Sequence, residues 1–289
     1  MAENTICNLC DNPGTYANAT DVGQFPSVVR QFRQDEFTVW RCSNCQSLHV
    51  KEDVDLDRYY AGYPNHNQNL DYFTRRLNAR CVKALRSQGV ELTDAVLDYG
   101  CGAGLVGQLL RERGFEEVIG YDPFVERFAD PKALDREYDA VLSLEVIEHV
   151  DDPQEHASTL AKQTKSGGVV AISSPSASSF ALDDVDRATY HLHLPYHRHL
   201  LSLHALLEVG RRAGLRPVYQ TNVVWDSCWP AVGERFFFEF TRAHGNVIDC
   251  QVEPVRWGVL LKSPRIWFSA LLGSLLPLKA QMLVLFVKE

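Results

Sequence analysis

The chain has 289 residues, of which 45% are hydrophobic and 23% are charged, and its formal net charge is −8. This length allows one large α/β domain with a small appendage, and the composition is that of an ordinary folded protein. Residues 1–60 hold nine acidic and five basic side chains, so neither the whole chain nor its front part offers an obvious surface for nucleic acid. The opening MAENTICNLC has no basic flank and no apolar stretch, which predicts a cytoplasmic, reducing location without a secretion signal.

Two Cys-x-x-Cys pairs with 31 residues between them stand near the start of the chain. They are Cys7, Cys10, Cys42 and Cys45. In a reducing compartment such pairs seldom form disulfides, whereas four thiolates can hold Zn²⁺ in a closed tetrahedral site. The second pair lies between the strand-like segments EFTVW and SLHV, as on a hairpin turn. We expect a structural Zn²⁺ site, with a redox-active dithiol or a chance pattern as alternatives and with His49 as a packing residue.

These cysteines indicate a small zinc-ribbon-like module over residues 1–58. The segment KEDVDLDRYYAGYP that follows is acidic, then aromatic, and ends in Gly-x-Pro, which predicts a linker near residue 60. Tyr59, Tyr60 and Tyr63 are expected to pack between domains or to cap a ligand pocket. The second domain is predicted over residues 59–289.

A glycine-rich turn connects the buried strand predicted over AVLDY to the helix predicted over LVGQLLRERG. Its spacing, Asp98-x-Gly100-x-Gly102-x-Gly104, differs from the dinucleotide fingerprint Gly-x-Gly-x-x-Gly. The glycines let a ligand approach the backbone, and an acid before the turn repels phosphate and attracts an amine. The next strand, EVIGYD, ends in Asp122, which is placed to accept hydrogen bonds from ribose hydroxyls. An amine-bearing nucleoside without a phosphate fits S-adenosylmethionine better than NAD.

The segments VLDYGCGAG, VIGYD, YDAVLSLEVIEHVDDP and SGGVVAISSP, in that order, resemble successive motifs of the class I S-adenosylmethionine-dependent methyltransferases. The resemblance covers about residues 70–289 and implies a Rossmann-like α/β sheet. It also implies that Asp98 and the glycine backbone lie beside the methionine portion of the cofactor, and that Leu144 and Glu145 line its sulfonium side. The residues expected to contact the cofactor are Asp98, Gly100, Cys101, Gly102, Gly104, Asp122, Pro123, Asp130, Leu144 and Glu145. Among them Cys101 is interpreted as a small residue tolerated beside the cofactor rather than a nucleophile.

The region after Asp122 departs from the family pattern. Only 15 residues separate Asp122 from Tyr138, too few for a helix, a third strand and a further helix. We therefore expect the third strand to be reduced or missing. Asp130 is the candidate for the adenine contact, and the alternative is a solvated loop carboxylate.

Candidate general bases are histidines, because imidazole titrates near neutral pH. His149 follows the fourth strand and is a candidate for a base or for an orienting residue of the active-site wall. Five histidines occur in YHLHLPYHRHLLSLH, where the alternation at 191/193 and at 197/199 is compatible with pairs on one face of a strand. His197 and His199 directly precede the helix SLHALLEVGRRAGL and are the preferred bases of this group. Packing or loop capping is the alternative, and no acidic residue or cysteine completes a metal site nearby.

Two segments, 176–204 and 225–280, are predicted to be insertions that cover the substrate. RPVYQTNVVW and QMLVLFVKE are strand candidates for the far edge of the sheet. Trp225, Trp229 and Phe236 to Phe238 are expected to form a lid or to lie in the core, and a large apolar pocket would favour a hydrophobic or aromatic acceptor.

The segment IWFSALLGSLLPL, residues 266–278, is apolar over 13 positions between Arg265 and Lys279. A bilayer span needs roughly 18 or more such residues, so no membrane span is predicted. A buried helix is the favoured interpretation, and contact with a membrane surface or a lipid is the alternative.

The sequence thus predicts transfer of a methyl group from S-adenosylmethionine to a small-molecule acceptor, such as a metabolite, a sugar or a natural-product intermediate, with release of S-adenosylhomocysteine. The cysteine-rich front resembles that of a subgroup that acts on small molecules, including sugar C-methyltransferases. One alternative is an RNA or protein methyltransferase that uses the zinc module for recognition, although the net negative charge of the chain makes nucleic acid an unfavourable target. Another alternative is a non-catalytic cofactor-binding scaffold.

Overall fold

The computed structural model describes residues 3–60, 70, 72–179, 181–224, 233–276 and 278–289. Tyr63, Trp225 and Trp229 lie outside these ranges. The chain forms two compact units. The first consists of Met1–Asn67, Pro175–Leu203 and Ser227–Ala280, and the second of Gln68–Ser174, His204–Asp226 and Gln281–Glu289. The domain boundary at residue 58 stays a prediction.

Ten strands and ten α-helices occur among the described residues. The strands are β1 (Asp21–Pro26), β2 (Glu36–Arg41), β3 (Leu48–Val50), β4 (Ala95–Tyr99), β5 (Glu117–Tyr121), β6 (Tyr138–Leu144), β7 (Thr164–Pro175), β8 (His199–Leu200), β9 (Leu215–Thr221) and β10 (Gln281–Lys288). The helices are α1 (Leu56–Tyr60), α2 (Tyr72–Leu77), α3 (Ala79–Ser87), α4 (Leu105–Glu112), α5 (Pro153–Lys162), α6 (Val185–Leu192), α7 (Leu203–Arg212), α8 (Glu234–Ala243), α9 (Trp257–Lys262) and α10 (Pro264–Leu272).

The first unit contains a four-stranded antiparallel sheet of order β1-β2-β3-β8. Alternate residues of β2 and β3 face one core, which Phe37, Val39 and Leu48 share with Tyr196 and Leu200 from the later part of the chain. The strands predicted over EFTVW and SLHV are therefore present. Residues far apart in sequence build this single core.

The second unit contains a six-stranded sheet of order β5-β4-β6-β7-β10-β9. Strands β4 to β7 are parallel, and β10 pairs with β9 in antiparallel fashion. Ala95, Val96 and Leu97 of β4 are all buried, as expected for a parallel strand that is covered on both faces. This mixed α/β sheet has the predicted Rossmann-like architecture.

The expected loss of the third strand is confirmed. Residues 122–137, all of which are described, contain two short 3-10 turns at Glu126–Phe128 and Pro131–Leu134 and no strand. The connection from β5 to β6 is consequently a compact loop on the sheet edge. The strands predicted near the end of the chain are present as β9 and β10.

The histidine-rich segment differs from the expectation. His191 belongs to the helix α6, and His193 ends that helix with a φ of 49°, so this pair does not share one face of a strand. A His-x-His alternation is compatible with either secondary structure, and Ala188, His191 and Leu192 of α6 are all buried. His199 lies in the two-residue strand β8, where it pairs with His49 of β3.

The segment 225–280 contributes a small cluster of apolar side chains. Phe240, Cys250 and Ile266 are buried together, with Phe236 and Leu260 packed against them. Most other bulky side chains of α10 are instead exposed, so the favoured expectation of a buried helix over 266–278 is wrong for them. Throughout the described part of the chain, the helices are too short or too polar to span a bilayer.

Gly210 sits where α7 packs on β10 and provides a stability test. A Cβ at this position would lie 2.5 Å from Cε1 of Phe286, a fully buried ring. We expect Gly210→Ala to lower the free energy of unfolding by about 1–3 kcal/mol through overpacking, measured by urea denaturation. Gly258→Ala in α9 is the control, because its Cβ would meet no atom within 4 Å. It should raise stability by about 0.5–1 kcal/mol, and equal effects of the two changes would contradict the packing argument.

Candidate functional site

The carboxyl ends of β5, β4 and β6 lie side by side in the second unit. Asp122 follows β5, the glycine turn follows β4, and Glu145 follows β6. This edge is where ligands bind in open α/β sheets. Most of the residues predicted to contact a cofactor therefore meet at one edge of one sheet.

The three glycines of the turn all have positive φ, 73° at Gly100, 51° at Gly102 and 75° at Gly104. A Cβ at Gly100 would lie 2.5 Å from Cγ2 of Val146, and one at Gly104 would lie 2.6 Å from Cζ of Phe128. At Gly102 a Cβ would meet no protein atom within 4 Å. Two glycines thus make room for neighbouring side chains, and Gly102 presents its backbone to open space.

The sequence indicates that all three glycines let a ligand approach. It does not indicate that Val146 packs against Gly100 and Phe128 against Gly104. Phe128 lies in the loop that replaces the third strand, in a segment without a motif, so no sequence signal marked it. Its ring also lies 3.3 Å from the position of a Cβ on Gly120. The shortened loop is therefore folded back over the turn that it follows.

Asp122 connects the two turns through its carboxylate. Its Oδ2 accepts a hydrogen bond from the Gly102 N–H at 2.9 Å, and its Oδ1 accepts one from the Phe124 N–H at 2.9 Å. The Asp122 N–H donates to the carbonyl oxygen of Phe128 at 3.1 Å. An ionised carboxylate offers about four acceptor positions, so two remain for a ligand.

Asp98 lies beneath the turn and is almost completely buried. Its Oδ2 accepts a hydrogen bond from the Gly107 N–H in the first turn of α4, at 3.1 Å. Burial outweighs this bond and raises the pKa of Asp98 to about 7. A cationic ligand group beside it would restore its charge.

Cys101 lies inside the glycine turn and is half-buried. Burial, followed by the negative charges of Asp98 and Asp122, raises the pKa of its thiol well above the usual range. A thiol held in the protonated form is a poor nucleophile.

The end of β6 carries two glutamates. Glu145 has a φ of 56°, and its Oε1 accepts a hydrogen bond from Ser173 Oγ on β7 at 2.7 Å. Burial and the neighbouring charge of Glu145 raise the pKa of Glu148 well above the usual range. Leu144 is half-buried in the last position of β6, and His149 is half-buried in the turn that follows.

Pro123 and Asp130 are exposed on the loop that replaces the third strand. Asp130 Oδ1 accepts a hydrogen bond from the Lys132 N–H at 3.0 Å and so begins the second 3-10 turn. This role is local, and the adenine contact of Asp130 stays a prediction.

His197 and His199 belong to the first unit, whereas His149 belongs to the second. His197 Nδ1 donates to the carbonyl oxygen of His191 at 3.2 Å, and its ring stacks on His193. His199 packs edge-on against His49, with 5.7 Å between the ring centroids. Both candidate bases of the first unit are buried and have aromatic neighbours.

The four cysteines of the two Cys-x-x-Cys pairs converge in the first unit. Their Sγ atoms all lie within 4.8 Å of one another, with 3.7 Å from Cys7 to Cys10 and 3.7 Å from Cys7 to Cys45. A disulfide needs about 2.05 Å, whereas a tetrahedron with Zn–S bonds of about 2.3 Å has edges of about 3.8 Å. The Leu9 N–H also donates to Cys7 Sγ at 3.4 Å.

His49 is buried outside this cysteine cluster. Its ring stacks on Trp40 with 4.6 Å between the centroids, and burial lowers its pKa well below the usual range. The structure therefore places His49 as a packing residue. Gly14 makes room for the cluster, because a Cβ there would lie 2.8 Å from Cys42 Sγ.

Comparison with known proteins identifies the family. Residues 66–220, more than half of the chain, match the family model described as a methyltransferase domain. Ubiquinone biosynthesis O-methyltransferase of Dinoroseobacter shibae is 28% identical over 184 residues, which cover 54% of this chain and 74% of the relative. The protein of the same name from Cereibacter sphaeroides is 29% identical over 197 residues, which cover 56% of this chain and 78% of the relative.

Solved structures are similar at lower identity. An S-adenosylmethionine-dependent methyltransferase from Archaeoglobus fulgidus superimposes with a TM-score of 0.47 and 18% identity, over 80% of this chain and 99% of that one. The match to the family model over residues 66–220 identifies the activity class. The chain belongs to the methyltransferase-domain family and is an S-adenosylmethionine-dependent methyltransferase.

Proposed function

We propose that this enzyme methylates a hydroxyl oxygen of a small hydrophobic or aromatic acceptor. The edge formed by Asp98, Gly102 and Asp122 carries the proposal for cofactor binding, and the names of the curated relatives, which are O-methyltransferases, support oxygen as the acceptor atom. S-adenosylmethionine supplies a methyl group that is already activated by its sulfonium. The protein's contribution is therefore mainly alignment.

The residues at the sheet edge fit this cofactor. Because Gly102 has no side chain and faces open space, a ligand can approach its backbone closely. Two N–H donors fix the carboxylate of Asp122, which keeps acceptor positions for ribose hydroxyls. Asp98 offers a buried carboxylate to an ammonium group. We further propose that Leu144 and Glu145 border the reacting end. Cofactor contacts by Gly100, Cys101, Gly104, Pro123 and Asp130 stay predictions.

A hydroxyl acceptor must lose its proton, and we propose His149 as the residue that accepts it. His149 follows β6, whose end lies beside the glycine turn, and its imidazole is half-buried. Imidazole is the side chain most often used as a general base. Catalytic roles for His197 and His199 stay predictions.

We also propose that Cys7, Cys10, Cys42 and Cys45 hold a structural Zn²⁺. The separations between their sulfur atoms support a tetrahedral thiolate site with no open position, which stabilises folding and performs no chemistry. Burial and the charge of Cys45 raise the pKa of Cys10 to about 11, and a divalent cation would offset this cost of ionisation.

The assignment of Asp122 is tested by calorimetric titration with S-adenosylmethionine. We expect Asp122→Asn to weaken binding at least tenfold, because an amide in its place donates where ribose hydroxyls and backbone N–H groups also donate. Glu126→Gln is the matched control, since Glu126 is an exposed carboxylate in the same loop, and it should bind within twofold of the wild type. Binding by a folded Asp122→Asn variant at wild-type strength would contradict the assignment.

The pKa of Asp98 predicts a pH dependence of cofactor affinity. Below pH 7 the buried carboxyl is protonated, so pairing with a cofactor ammonium must first displace that proton. Affinity should therefore rise with pH, by up to tenfold per unit below pH 7, and level off above it. Dissociation constants measured by calorimetry between pH 6 and pH 8 test this.

Two variants test whether Asp98 causes this pH dependence of affinity. Asp98→Asn should bind more weakly and without the pH dependence. Asp139→Asn should follow the wild type, because hydrogen bonds from Lys165 and Ala95 outweigh its burial and hold the pKa of Asp139 below its usual value, outside this window. A wild-type affinity that is flat from pH 6 to pH 8 would exclude Asp98 as the partner of the ammonium.

Metal analysis tests the cysteine site. We expect about one zinc per chain by mass spectrometry of the purified protein, and removal by a chelator should lower the melting temperature. Cys45→Ser should lose the metal, whereas Cys81→Ser should keep it, because Cys81 is a buried cysteine of the second unit's core. Metal-free protein whose melting temperature is insensitive to chelator would overturn the proposal.

A further inference from the structure

The helix α10 of the first unit is oriented in an unusual way. It buries the small polar Ser269, which is 5% exposed, together with Ile266. The bulky side chains on its other side are exposed, with Trp267 at 46% and Leu271 at 53%. A helix that only completed a core would bury these large side chains and expose the serine. The exposed side of α10 therefore requires a different explanation.

The exposed apolar side chains extend beyond α10 to form what we call the α9–α10 face, residues 255–276. Its most prominent members are Trp257, Leu261, Trp267, Phe268, Leu271 and Leu275. Trp257 is 65% exposed and Leu275 is 74% exposed. So many exposed bulky apolar side chains within 22 consecutive residues mark a site that something else covers.

The charge of this region is opposite to that of the whole chain. No acidic residue occurs between Glu253 and Glu289, although the chain carries a net charge of −8. Arg256, Lys262 and Arg265 all fall within the α9–α10 face and are exposed. Within the part of the chain that the structure describes, neither Lys262 nor Arg265 forms an ion pair. Uncompensated positive charge thus accompanies the exposed apolar side chains.

An open cavity of about 640 Å³ brings these charges together. Arg256, Lys262 and Arg265 all line it, together with Gly258 and Val259. Arg256 is paired with Glu253 at 3.5 Å, so the uncompensated positive charge of the lining comes from Lys262 and Arg265. The other lining residues are small or apolar. A group of negative charge, such as a phosphodiester, matches this cavity, and the neighbouring Trp and Leu side chains match hydrocarbon.

We propose that the α9–α10 face docks on an anionic phospholipid surface. The tryptophans and leucines would lie at the level of the acyl boundary, with the basic cavity at the lipid head groups. A second copy of the chain is a poorer occupant, because a two-fold contact would bring identical positive clusters together. The inference rests on residues of the first unit and does not depend on the methyl acceptor.

Co-sedimentation of the full-length protein with vesicles tests this docking. The vesicles contain either phosphatidylcholine alone or phosphatidylcholine with 30% phosphatidylglycerol. We expect binding to the anionic vesicles that falls at least tenfold between 0.05 M and 0.5 M salt, and much weaker binding to the neutral ones. Absence of binding to anionic vesicles at low salt would overturn the proposal.

Two pairs of changes separate the apolar and ionic contributions. Leu271→Ser with Leu275→Ser should weaken vesicle binding at least tenfold, and Lys262→Glu with Arg265→Glu should do the same on anionic vesicles. Matched controls are Val185→Ser, an exposed apolar residue of α6, and Lys162→Glu, an exposed basic residue of α5. The controls should bind within twofold of the wild type. Equal losses in test and control variants would overturn the assignment to this face.

Sedimentation velocity without lipid tests the other occupant. We expect a monomer at micromolar concentration for both the wild type and the Leu271→Ser with Leu275→Ser variant. A wild-type dimer that this variant converts to a monomer would show that a second copy covers the face, and would overturn lipid docking. We expect each variant to fold, because all four substituted side chains are exposed. Circular dichroism and melting temperatures check this.

Discussion

The carboxylate of Asp122 holds together the two turns at the carboxyl edge of the six-stranded sheet. It accepts hydrogen bonds from Gly102 in the turn after β4 and from Phe124 in the turn after β5, so one side chain joins the two loops that a nucleoside would contact. These two N–H donors orient the carboxylate, so binding of a ligand would not have to order it first. The residue proposed to recognise ribose is thus also the residue that shapes the site.

The missing third strand changes what surrounds this edge. In place of a strand, residues 122–137 form two short 3-10 turns, and Phe128 comes over Gly104 and Gly120. The loop therefore contributes packing to the glycine turn, and Asp122 N–H fixes it by donating to the carbonyl of Phe128. The absence of a third strand and the packing of Phe128 on the glycine turn therefore both result from the short connection between β5 and β6.

Local patterns were sufficient to predict the strands around the turn, because buried parallel strands are continuous apolar runs and a glycine turn must follow them. The cysteine cluster could also be predicted from the sequence, because each Cys-x-x-Cys pair is a local pattern. Two features could not be predicted from the sequence: the contact of Phe128 with Gly104, and the side of α10 that is exposed. Which side of a helix is buried depends on partners distant in sequence, and α10 is apolar on nearly all sides.

The first unit is assembled from three separate segments of the chain, and this has a consequence for its synthesis. Strand β8, at residues 199–200, completes the sheet begun by β1 to β3, and Tyr196 and Ile248 enter the same core as Phe25. About 150 residues must leave the ribosome between β3 and its last partner. During this interval the apolar side chains of the amino-terminal segment lack the partners that cover them in the folded unit.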